Sequence, residues 1–163
     1  MKRKYLFLIL LSFCLSFSFC KRNNSQETVV TEGDFSSSLT AQDTTIVLEK
    51  TNLCMEELKN GKLEEALGMI YFLNEDREPV QMSEALYNET LDRFKMFPVL
   101  SYKLENFSFD EQTENLVKYS TIFFEKKPDD KMPNTIAVVF NPVKYNGQWY
   151  LTLKNKHWLQ NYH

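Results

Sequence analysis

Near Pro98 the spacing of apolar residues changes from about 3.6 to about 2, and no other feature restricts this chain as much. A chain that is helical before that point and extended after it must pack a helical layer on a sheet, so the class expected is α+β. Before the switch, three helices are predicted. Asp43–Asn60 carries Val47, Cys54 and Leu58 on one stripe, with Ile46 and Leu53 alongside, and Asn60-Gly61 ends it. Lys62–Phe72 places Leu63, Ala66, Leu67, Ile70 and Tyr71 at i, i+3, i+4, i+7 and i+8. Ser83–Phe97 stacks Leu86, Thr90, Phe94 and Phe97, and Pro98 stops it.

Four strands are predicted after the switch: Ser101–Asp110, Leu116–Lys126, Thr135–Tyr145 and Gln148–Lys154. In the first, Tyr102 and Leu104 have opposite parity to Phe107 and Phe109, which calls for a bulge near Glu105-Asn106. In the second, Val117, Tyr119, Thr121 and Phe123 share a face. Asn146-Gly147 is a strong signal for a tight hairpin, because both residues tolerate positive φ. The fold class expected is three N-terminal helices on a curved four-stranded antiparallel sheet.

The ends read differently. Lys2, Arg3 and Lys4 precede an apolar run from Tyr5 to Cys20, too short for a bilayer span of roughly 20 residues and suited to a secretory signal over residues 1–20. Cys20 followed by Lys21, Arg22, Asn23 and Asn24 resembles a bacterial lipoprotein junction, which makes Cys20 the expected lipidation site and the bacterial envelope membrane the expected address. Phe19 and Phe17 depart from that pattern. A cut after Cys20 that leaves a soluble periplasmic protein is the alternative, since Ser18 and Cys20 are small residues two apart. Residues 21–42, polar and containing Ser36-Ser37-Ser38, read as a flexible tether. The domain is expected over 43–155, with 156–163 as a C-terminal tail.

Charge and composition then exclude functions. Losing Lys2, Arg3 and Lys4 with the signal leaves 16 basic and 22 acidic residues, a formal charge of −6, which opposes nucleic-acid binding. Cys54 is left without a disulfide partner and falls on an apolar stripe, as a small core residue would. No zinc spacing, phosphate-binding glycine loop or nucleophile elbow occurs, so neither a metal nor a cofactor is expected. Glu56-Glu57 and Glu64-Glu65 are neighbours that diverge on a helix and form no chelating face.

Two segments carry a family resemblance: Asn60-Gly61-Lys62-Leu63-Glu64-Glu65-Ala66-Leu67 between the first two helices, and Asn146-Gly147-Gln148-Trp149-Tyr150-Leu151 at the last hairpin. With them the chain resembles the nuclear transport factor 2-like superfamily, whose members include many small exported lipoproteins. The resemblance implies a cone-like fold with a pocket between helices and sheet. Enzymes of that superfamily hold a carboxylate or a His-Asp pair inside the cone. Here His157 and His163 lie beyond the last strand, and the remaining option is a tyrosine with a carboxylate, such as Tyr119 with Glu105 or Asp92.

Thirteen Phe, eight Tyr and two Trp make the sheet half dense in aromatic rings. Tyr102, Tyr119, Phe123, Tyr145 and Trp149 are the candidate lining of a ligand pocket. For Trp149 a core plug outweighs a pocket platform, because aromatic residues that fill cores outnumber those that bind ligands. The function expected is binding of a small apolar ligand, or of a protein partner or second copy through a sheet face, without catalysis. A lyase or isomerase using a buried carboxylate and a tyrosine is the alternative.

Overall fold

The structure is a computed structural model and describes residues 32–154. The signal segment, Cys20, His157 and His163 lie outside the described residues. Four helices, α1 (Glu32–Ser38), α2 (Ala41–Lys59), α3 (Leu63–Gly68) and α4 (Glu84–Met96), accompany six strands: β1 (Ile70–Leu73), β2 (Pro79–Gln81), β3 (Ser101–Phe109), β4 (Asn115–Ile122), β5 (Thr135–Tyr145) and β6 (Gln148–Leu153). They form one sheet in the order β2-β1-β6-β5-β4-β3. Every neighbouring pair is antiparallel except β1 and β6, which run parallel with Ile70 opposite Leu151.

The α+β class is therefore observed, but the sheet is larger than the expected four antiparallel strands and is mixed. The reason lies in residues 62–72. Leu63, Ala66 and Leu67 do occupy a helical stripe, and Ala66 and Leu67 are buried. Gly68 then ends the helix, and Ile70, Tyr71 and Phe72 extend into β1, as β-branched and aromatic residues favour. Ile70 fits the helical period and is buried anyway, so its burial is the same in either conformation. The charged stretch after Leu73 is a hairpin connection. The Asn74 side chain accepts the Glu78 N–H at 2.8 Å, Arg77 takes a positive φ of 62°, and β2 returns with Val80 opposite Phe72.

The expected tether at residues 21–42 is corrected over its described part. Residues 32–38 form α1, and α2 already begins at Ala41. The serine run has weak helix propensity, but tertiary packing overrides it. Phe35 is only 5% exposed and meets Trp149 edge-on at a centroid distance of 6.3 Å. Thr40 is the N-cap of α2, three residues before the expected start at Asp43. Its side chain accepts the Asp43 N–H at 3.2 Å, and the Asp43 carboxylate accepts the Thr40 N–H at 2.9 Å, completing a capping box.

The second half follows its sequence pattern closely. Leu104 pairs with Tyr119 and Asn106 with Lys118, so Glu105 is the bulged residue. Asn146 and Gly147 both have positive φ, at 49° and 78°, and close the β5–β6 hairpin. Val47, Cys54, Met55 and Leu58 of α2 meet Val117, Tyr119, Val138, Phe140, Trp149 and Leu151 of the sheet in a single core with Ala66, Leu67 and Phe94. Burying each of the larger apolar side chains contributes roughly 1.5–3 kcal/mol.

Candidate functional site

The five aromatic residues expected to line a pocket do not converge. Tyr119 is buried in the core, its hydroxyl 3.0 Å from that of Thr51 and its ring edge-on to Tyr102 at 5.6 Å. The Tyr102 hydroxyl donates to Glu56 at 2.6 Å and lies 2.9 Å from the Asn52 side-chain oxygen, fastening β3 to α2. Burial and the Glu56 carboxylate hold the Tyr102 phenol protonated, well above its ordinary range. Phe123 follows β4 and packs edge-on against Phe97 at 5.2 Å. The Tyr145 hydroxyl donates to Glu78 at 2.5 Å, tying the end of β5 to the β1–β2 connection. Trp149 is a core plug, gripped by Phe35 and Phe109 and donating its indole N–H to Asp43 at 2.8 Å. Tyr102 and Trp149 border two separate smaller clefts.

The expected acid–base pairings are also absent from the geometry. Tyr119 meets Thr51, Glu105 pairs with Lys118 at 2.9 Å, and Asp92 lies 3.8 Å from Lys95. Cys54 is buried, and burial followed by the nearby Glu57 charge pushes its thiol up to about 12, which suits a core residue rather than a nucleophile. Among the described residues, no cluster of three histidine, cysteine or carboxylate side chains could hold a metal ion.

A groove of about 600 Å³ lies elsewhere, at the β1–β2 end of the sheet. That volume is within the range of roughly 300–1,000 Å³ typical of small-molecule sites. Its mostly apolar lining has three sources. Ile70 and Phe72 of β1 stand two residues apart and so share a face, joined by Val80, which is paired with Phe72, and by Leu153 at the end of β6. The α4 helix supplies Leu86, Glu89, Thr90 and Arg93, at i, i+3, i+4 and i+7 of one helical face. Met82 and Ser83 bridge β2 to α4 along the rim.

Most polar groups of this wall are already engaged. The Thr90 hydroxyl donates to the Leu86 carbonyl at 2.8 Å, and Ser83 caps α4 by accepting the Leu86 N–H. Arg93 donates to Glu89 at 2.7 Å. Asn74 holds the β1–β2 connection. Lys154, half-buried at the groove, keeps its ammonium without an ion pair or hydrogen bond among the described residues.

Reading β1 as helix hides this groove in the sequence. The usable signal is the alternation of Ile70 with Phe72 and of Val80 with Met82 on either side of a polar five-residue connection. Against protein-family models, curated proteins and solved structures, the chain finds no match.

Proposed function

We propose that this chain is a non-catalytic binding protein that takes a small apolar ligand into the groove between β1, β2, α4 and the end of β6. The observation that carries this reading is an apolar-lined space of about 600 Å³ in a fold whose helix–sheet core is otherwise packed with side chains. The superfamily resemblance enters the proposal too, supported by a helical layer on a bulged sheet and by the Asn146-Gly147 hairpin. Export and lipidation at Cys20 are proposed from residues 1–24. Among the described residues, no helix is long and apolar enough to cross a membrane.

A lyase or isomerase is the competing reading, and the Tyr102–Glu56 contact at 2.6 Å is the observation in its favour. Glu56 is 41% exposed and also lies 3.6 Å from Lys59, and neither Glu56 nor Tyr102 borders the groove. Binding without catalysis fits the groove better.

The test is titration with N-phenyl-1-naphthylamine, a neutral dye whose fluorescence rises in apolar surroundings. Saturable binding that is lost in Leu86→Trp, a variant that fills the groove from α4, supports the proposal. Binding unaffected by Leu86→Trp, or none to the wild-type chain, overturns it. Metabolic labelling with a lipid precursor tests the anchor: a Cys20→Ser protein that still incorporates label ends that part.

A further inference from the structure

We infer that the groove selects an uncharged lipid, a hydrocarbon chain without an ionised head, and rejects ionised amphiphiles. This rests on the binding proposal above and adds the chemical class of the ligand.

Strand alternation decides which side chains face the groove. Ile70 is paired with Leu151 of the core, so Ile70 and, two residues on, Phe72 face the helices. Val80 is paired with Phe72, and Leu153 with the core residue Phe140, and paired residues share a face. The strand positions on the groove side are therefore Ile70, Phe72, Val80 and Leu153, none with a polar side-chain atom. Tyr71, Gln81 and Lys154 border the groove in alternation with them, so their side chains turn to the opposite face. The Tyr71 ring accordingly meets Tyr150 at 5.0 Å, and Tyr150 alternates with the core residues Trp149 and Leu151. The Lys154 N–H donates to the Val139 carbonyl at 3.4 Å and continues the β5–β6 ladder, so the same alternation holds there.

The α4 wall adds Leu86 and three polar residues whose polar groups are engaged with each other or with the helix. The Thr90 hydroxyl donates to the Leu86 carbonyl at 2.8 Å, and Arg93 pairs with Glu89 at 2.7 Å, one helical turn away. These walls bring the groove no net charge. An ionised group buried here would lose its water with no partner to replace it. A hydrocarbon chain loses nothing of that kind. The floor crosses the adjacent strands β2, β1 and β6, about 10 Å from first to last, and gives such a chain a continuous apolar bed.

The experiment compares two dyes with the same rings on the full-length chain at pH 8: neutral N-phenyl-1-naphthylamine, and 8-anilinonaphthalene-1-sulfonate, which adds one negative charge. The neutral dye should bind at least about tenfold tighter. Val80→Lys, on the edge strand, and Leu86→Lys each put a cation on the groove side and should bring the two affinities to within about threefold. Lys154→Met should change neither dye. In displacement of the neutral dye, each methylene from octan-1-ol to decan-1-ol should strengthen binding about fourfold. Sulfonate binding as tight as that of the neutral dye overturns the charge selection while the apolar groove stands, and so does a Lys154→Met protein that loosens the sulfonate dye. Equal affinity for octan-1-ol and decan-1-ol overturns the lipid class. If Val80→Lys and Leu86→Lys both leave the ratio of the two dyes unchanged, the dyes sit elsewhere and the inference falls. Failure of the neutral dye to bind the wild-type chain removes the groove reading and this inference with it.

Discussion

The indole N–H of Trp149 donates to the Asp43 carboxylate at 2.8 Å, joining residues 106 positions apart. The same Asp43 oxygen accepts from the Lys144 ammonium at 2.7 Å, while its other oxygen accepts the Thr40 N–H and hydroxyl. One carboxylate therefore caps α2, pins the β5–β6 hairpin to it, and satisfies a buried indole. Replacing it leaves an orphaned N–H and an ammonium without its partner. Asp43→Ala should cost about 3 kcal/mol. Urea denaturation checks this, and a loss below about 1 kcal/mol would show that the sheet holds Trp149 unaided.

Acid should weaken the same junction. Lys144 above all, then Thr40 and Trp149, favour the ionised form and hold the Asp43 pKa well below the ordinary carboxylate range. Because the folded-state value is depressed, the contribution is complete above the unfolded value of about 3.9 and is lost as pH falls toward the folded one. The stability difference between wild type and Asp43→Asn should be constant from pH 7 to 5 and shrink below about pH 4. A difference that stays constant to pH 2 contradicts the assignment.

Phe35 tests whether α1 belongs to the domain. Its ring is buried against Trp149, so Phe35→Ala should destabilise the protein by about 3 kcal/mol. Were residues 32–38 a tether, the same substitution would change nothing measurable in a thermal melt.

Cys54 provides a probe of the core. With its thiol buried between α2 and α3 and its pKa near 12, alkylation by iodoacetamide at pH 8 should run about 100-fold slower in the native protein than in urea. Peptide mass spectrometry isolates this site from Cys14 and Cys20. Comparable rates in both states would mean that α2 does not stay packed.

The β3–β6 meander was legible because its signals are local: a parity flip at Glu105, a hairpin dipeptide at Asn146-Gly147, and alternation along β4. The helices α2 and α4 were legible for the same reason, through their apolar stripes. The β1–β2 hairpin was not. Its strands have four and three residues, and Ile70 sits where both a helix and a strand would bury it. The groove was lost with the hairpin, since two of its walls are those strands. For Trp149, pocket lining and core plug differ only in whether Phe35 and Asp43 cover the ring, and that is a long-range fact.

Ligands are proposed to enter at β1, β2 and α4, not among the aromatic residues of the core. Methyl-labelled NMR during titration with N-phenyl-1-naphthylamine addresses it directly. Shifts should concentrate at Ile70, Val80, Leu86 and Leu153, with Val47 and Val117 unmoved. Saturable shifts centred on Val47 and Val117, with the groove methyls still, would contradict the account.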